Sequence, residues 1–134
     1  MTGTPVSDLQ GMLAGMAPEL HSEAYRILTV PLEDERADWI GEPFAIVREA
    51  EGATIIAAVH DPVGDAPLFA RITLMVHSAL EGVGLTAAVS GALAEAGIAC
   101  NIVAGYYHDH LFVPWERRIE ALAILKALSK AARR

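Results

Sequence analysis

The chain has 134 residues, enough for one compact unit or two very small domains sharing a core. Apolar residues make up 53% and charged residues only 20%, which excludes intrinsic disorder and promises a filled interior. The formal charge of −7 excludes nucleic acid as a partner, because binding to phosphates is dominated by Lys and Arg.

Cys100 is the single cysteine, so no intramolecular disulfide forms, and the composition suits a reducing cytoplasm. The start, MTGTPVSDLQGM, has no basic patch followed by an apolar core, so no signal peptide is expected. Residues 85–107 are apolar enough to suggest a membrane span, but Gly97, Asn101 and Gly105 break the helical pattern and Glu95 interrupts it. A buried helix followed by a buried strand accounts for that run, and no membrane is implied. Lys126, Lys130, Arg133 and Arg134 fit the last turns of a helix, where cations complement the macrodipole. The rival reading is a tail for an anionic partner.

Taken in chain order, Ser7 is the expected cap of a first helix carrying Leu9, Met12, Leu13 and Met16, which Pro18 ends. A strand follows from Ala24 to Val30. The acidic stretch PLEDERADWIGEP has room for a turn or one helical turn, not for a crossover helix. Pro43–Arg48 and Thr54–Val59 flank a short loop with Gly52 and predict a hairpin. The prolines and aspartates of DPVGDAP mark a linker, placed at 62–67, between an N-terminal unit 1–61 and a C-terminal unit 68–134.

The second half is more regular. Arg71–His77 reads as a central strand. Leu85, Ala88, Val89, Ala92, Leu93 and Ala96 form one helical stripe, and Gly97 stands where a left-handed cap belongs. Strands are expected over Ile98–Ala104 and Tyr107–Val113. After Pro114 comes a final helix lined by Ile119, Leu122, Leu125 and Leu128, with Glu116 and Glu120 in its first turns. The order βαββα predicts an α+β open sandwich, with helices on one face of an antiparallel sheet.

That order, centred on GVGLTAAVSGALAEAGIACNIV, resembles the ACT domain, a ferredoxin-like βαββαβ regulatory module. The matching elements are Gly82 and Gly84 in the turn, the helix from Leu85 to Ala96, Ala96-Gly97-Ile98, and Asn101 on the next strand. The longer run HSALEGVGLTAAVSGALAEAGIACNIVAGYYHDHLFVP is similar to a small bacterial family of stand-alone proteins built of two ACT-like units. FAIVREAEGATII resembles that family's first-half hairpin. The resemblance implies a non-enzymatic regulatory or sensing protein that binds a small molecule, an amino acid above all, with no cofactor. It also implies a degraded N-terminal copy, without a full helix between its strands. The C-terminal copy lacks a sixth strand after its last helix, to be supplied by the N-terminal strand or by a partner. A homodimer is expected.

The candidate ligand-binding residues are Gly82, Val83, Gly84 and Leu85, whose turn opens a helix and offers free N–H groups to a carboxylate, with Asn101 reading the polar end. The plainer reading is a tight turn that needs glycine for geometry, and an Asn satisfied by neighbouring backbone. His108 and His110 share a strand face and suggest a metal, with His77 or His60 as further ligands and a metal-dependent hydrolase as the corresponding activity. Two ligands do not make a zinc site, so the expectation is no metal and no catalytic residue. Ser78, Ser90 and Cys100 lack a nucleophile context, and Cys100 reads as a small core residue. Arg48 and Glu49 form either a cross-strand ion pair or a polar lining. Phe112 and Trp115 belong either to a dimer face or to the core. The remaining alternative is a protein-interaction module that pairs through its sheet and holds no ligand.

Overall fold

The structure, a computed structural model, describes residues 5–31, 43–60 and 64–133. The acidic segment at 32–42, where a turn or single helical turn is expected, lies outside the described residues. The elements in order are α1 (Leu9–Ala14), β1 (Pro18–Val30), β2 (Pro43–Arg48), β3 (Ala53–Val59), β4 (Phe69–Leu74), α2 (Leu85–Glu95), β5 (Asn101–Ala104), β6 (Asp109–Pro114) and α3 (Arg118–Ala132), the last preceded by a 3₁₀ turn at Trp115–Arg117. They fall into two units, one of Met1–His21 with Ala70–Arg134 and the other of Ser22–Phe69. Strand β1 runs through the boundary.

In the larger unit the strand order is β1-β4-β6-β5. The start of β1 therefore supplies the strand that the sequence after α3 lacks. Ala70, Ile72 and Leu74 of β4 and Leu111 and Val113 of β6 turn to one face. They join Leu85, Val89 and Leu93 of α2, Ala121 and Leu125 of α3, and Met12 and Met16 from α1 and its exit, in one buried cluster. Alternation in the strands and 3.6-residue spacing in the helices thus meet on one side of the sheet, giving the α+β ferredoxin-like arrangement.

Within the larger unit α1 packs against α2 and α3. Met12 and Met16 are the reason: at 1% and 0% exposure they are part of the core beneath α2 and α3. Burial of two such side chains is worth about 1.5–3 kcal/mol each, more than a six-residue helix gains alone.

The smaller unit orders its strands β2-β3-β1, all antiparallel. Its buried cluster is Val30, Ala53, Ile55 and Ala57, separate from that of the larger unit. The β2–β3 hairpin closes through Glu49 N–H to Gly52 O at 3.0 Å and Gly52 N–H to Glu49 O at 3.3 Å. A Cβ on Gly52 would lie 2.8 Å from Val30 O, so only glycine lets this loop approach β1. Among the described residues no ion pair joins Arg48 to Glu49; the Thr54 hydroxyl donates to the Glu49 carboxylate instead.

Several expected boundaries move, each for a hydrogen-bonding or packing reason. Asp8, not Ser7, caps α1, its carboxylate accepting from Gly11 N–H at 2.8 Å. Strand β4 stops at Leu74 because the next two N–H groups, of Met75 and Val76, both donate to Met16 O. Strand β5 starts at Asn101, three residues late, because the Ile98 N–H returns to Leu93 O at 3.0 Å. With Gly97 N–H to Ala94 O and Gly97 at φ +73°, this is a Schellman cap. In α3 the buried stripe is Ala121, Leu125 and Ser129, and Ile119 is 65% exposed. Phe112 is fully buried and Trp115 packs against the core, with the Arg118 guanidinium 3.8 Å over its ring.

Candidate functional site: the loop before α2

The loop from Met75 to Gly84 carries the most chemistry in the larger unit. It is held by the N-terminal segment, which forms a parallel bridge: Val6 N–H donates to His77 O at 2.9 Å and Ala79 N–H to Val6 O at 2.7 Å. A cavity of about 470 Å³ opens here, within the range of small-molecule sites. Its walls are Pro5 and Ser7 on one side, His77 to Glu81 on the other, and Tyr106 from the turn before β6.

That turn is fixed by Gly105, whose N–H donates to His108 O at 2.9 Å; a Cβ there would stand 2.7 Å from the same oxygen. Tyr106 and Tyr107 meet edge to face at 5.0 Å, and the ring of Tyr107 lies 5.5 Å from His77. The first residue of β6, Asp109, brings a carboxyl under the influence of Ser78. Burial pushes that carboxyl above its usual range, while the Ser78 hydrogen bond and the charge of His108 pull the other way. The Nδ1 atom of His77 is buried and has no hydrogen-bond partner among the described residues. The lining has no Lys or Arg, and Glu81 is its carboxylate.

None of the sequence-predicted ligand residues lines the cavity. Its wall ends at Glu81, immediately before Gly82. A Cβ on Gly82 would meet the Met12 sulfur at 2.9 Å, and one on Gly84 the Leu9 side chain at 3.2 Å. Both glycines therefore admit the close approach of α1. Gly84, at φ +103°, is the N-cap of α2 and provides no side-chain hydrogen bond, so the first-turn N–H groups of the helix lack a side-chain acceptor. Val83 is 81% exposed, whereas Leu85 is buried in the core. Asn101 is exposed on β5, paired in register with Phe112. Among the described residues no hydrogen bond joins it to the turn. Ser78 and Tyr106 are not legible in the sequence as ligand contacts; the parallel bridge to Val6 and the Gly105 turn bring them together with His77 and Glu81.

The histidines divide. His110 Nδ1 lies 2.9 Å from the Thr73 hydroxyl, which is also 2.7 Å from His21 Nε2. Burial, then the charges of Arg71, His108 and His21, lower the His110 pKa to about 4. Among the described residues no three His, Cys, Asp or Glu side chains converge as a metal site. Cys100 packs against the core, and burial raises its thiol to about 11. The run 85–107 resolves into α2 and β5, and among the described residues no helix is long and apolar enough to cross a membrane.

Comparison with known proteins places this arrangement. The family model described as "ACT domain" matches twice, over residues 71–127 and, in a second form, over residues 4–62. A Vibrio cholerae protein of unknown function, described as a possible transport protein, is 43% identical, with 86% of this chain and 91% of that one covered and a TM-score of 0.73. An Agrobacterium tumefaciens protein (17% identity, TM-score 0.68, 94% and 91% covered) and the aspartokinase alpha and beta subunits (14%, 0.61, 83% and 95%) share the fold. No curated protein matches. ACT domains are regulatory rather than catalytic; they commonly bind small molecules such as amino acids and often dimerise. The chain belongs to the ACT-domain family and carries two ACT domains in tandem.

Proposed function

We propose that the protein is a non-enzymatic cytoplasmic sensor, active as a homodimer, that binds an amino acid at the loop before α2. The observation that carries this reading is the 470 Å³ cavity in the same loop that ends in the side-chain-free cap of α2. In this reading the ligand carboxylate meets the backbone of Gly82, Val83, Gly84 and Leu85, where N–H groups and the helix dipole favour an anion. The ammonium turns to Glu81 and the Ser78 hydroxyl, and the ligand side chain fills the space beside Leu80 and Tyr106. Asn101 is assigned a second polar contact on β5.

A thermal-shift screen of the twenty amino acids tests the proposal. At a hundredfold excess over its Kd a ligand should add about 2.7 kcal/mol of stability. Glu81→Gln should weaken the response without changing the unliganded Tm. Folded protein that responds to none of the twenty sinks the reading. Asn101→Ala separates its part: an unchanged response removes that residue alone.

A second reading has its own support. Leu80, Val83 and Tyr106 are 67%, 81% and 71% exposed around the cavity, a surface suited to pairing with a second copy. Sedimentation of a Val83→Glu variant distinguishes the two: loss of the dimer without loss of the amino-acid response assigns the patch to assembly.

A further inference from the structure

We infer that the cleft between the exposed face of α3 and the start of β1 is a second binding site, for a small molecule carrying a diphosphate. The cleft has a volume of about 480 Å³ and lies wholly in the larger unit, away from the residues of the loop cavity. Lys126, Lys130 and Arg133 line it, against a single carboxylate, Glu19, with Met75 as its apolar wall. The chain has only ten Lys and Arg and a net charge of −7, so gathering three cations in one cleft runs against its overall composition.

Spacing of four and three residues sets these cations on one helix face, where like charges repel. The helix dipole accounts for Lys130 in the last turn and for Arg133 at the C-cap, but it falls off before reaching Lys126. Among the described residues neither lysine has an ion-pair partner. Glu19 is the one carboxylate in the lining against these three cations, so the cleft carries a net positive charge that an anion would complement.

Arg133 is already oriented. Its Nη1 donates to Ala14 O at 3.3 Å and to the buried Ser129 hydroxyl at 3.2 Å, which fixes the guanidinium at one end of the cleft. The opposite wall is built by Ala17, the one described non-glycine residue at positive φ, +44°. Such a conformation is costly for a residue with a Cβ and tends to persist where a site requires it.

The ligand class follows from span and charge. Lys126 to Arg133 covers about 10 Å along the helix, more than one carboxylate bridges, and linked phosphates offer several anionic oxygens to the flexible side chains that converge from it. Lysine ammonium groups serve phosphate as point charges and arginine as a donor fork. Met75, 40% exposed, offers the apolar contact that a base or other ring would use.

Calorimetric titration of the full chain with inorganic pyrophosphate and, separately, with ADP tests this. One saturable site is expected, weakening as salt is added. In Lys126→Gln/Lys130→Gln, whose side chains are exposed so that folding is retained, affinity should fall at least about tenfold, and in Glu19→Gln it should rise a few-fold. Tighter binding of ADP than of pyrophosphate assigns the Met75 wall to a ring; equal binding assigns the site to the diphosphate alone. No binding of either probe to folded protein, undiminished binding in the double variant, or no gain in Glu19→Gln each overturns the inference. The amino-acid response of the loop cavity is measured on the same variants and should not change, so the two sites fail or stand separately.

Discussion

The Thr73 hydroxyl lies 2.9 Å from His110 Nδ1, on the face of β4 turned away from the helices, and His21 Nε2 approaches the same oxygen at 2.7 Å. One hydroxyl proton serves two rings, so Thr73 donates to one and accepts from the N–H of the other. The arrangement favours neutral His110, whose pKa falls from 6.5 to about 4. Between those values the unfolded chain takes up a proton that the folded chain refuses. Stability should be full above about pH 6.5 and fall toward pH 4, by about 1–2 kcal/mol once solvent screening of a half-buried ring is allowed for. Urea unfolding across this range should show the loss, and His110→Gln should flatten it. An equal slope in the variant would assign the acid sensitivity to other groups.

Gly84→Ala should destabilise the fold by about 1–3 kcal/mol, because the position combines positive φ with contact to Leu9 at 3.2 Å. Adding Leu9→Ala should recover the steric part of the penalty and leave the backbone part. Chemical denaturation of the single and double variants separates the two contributions.

Met12→Ala tests the assignment of α1 to the larger unit. Removing this fully buried side chain should cost about 2–5 kcal/mol. Amide exchange should quicken in β4 and β6, whose side chains share its cluster. Loss of protection confined to the β2–β3 hairpin would contradict the packing.

Cys100 should be slow to alkylate. With its thiol at about 11 instead of 9.0, the thiolate fraction near neutral pH falls about a hundredfold, and iodoacetamide labelling followed by mass spectrometry should slow accordingly. Labelling at the rate of a free thiol would mean that the core around β5 opens readily.

How much was legible in the sequence differs from element to element. Helix α2 and its cap were readable because each step is local: Leu85, Val89 and Leu93 at helical spacing, then Gly97 at the left-handed position that the Schellman bonds require. The β2–β3 hairpin was equally plain, since Gly52 punctuates two β-rich runs. The start of β1 was missed. Pro18 to Glu23 lacks an apolar alternation, so nothing local marks those residues as strand.

Of the candidate site, Gly82 to Leu85 were visible as a turn-to-helix pattern, and the structure adds a reason for two of the glycines in Leu9 and Met12. The cavity itself was not visible. It depends on Val6 bridging to Ser78 and on the Gly105 turn carrying Tyr106, contacts between segments dozens of residues apart.

By itself, then, the sequence determined the element order, the one-faced α+β packing and the family, because periodicity, caps and turn residues act over a few positions. Tertiary structure alone decided which segments share a core. Met12 and Met16, early in the chain, are buried among α2, α3 and β4, because apolar surface is covered by whichever face is within reach rather than by the nearest in sequence. For the same reason Lys126, Lys130 and Arg133, which read as a helix end, became one wall of a cleft only when β1 and Met75 supplied the other.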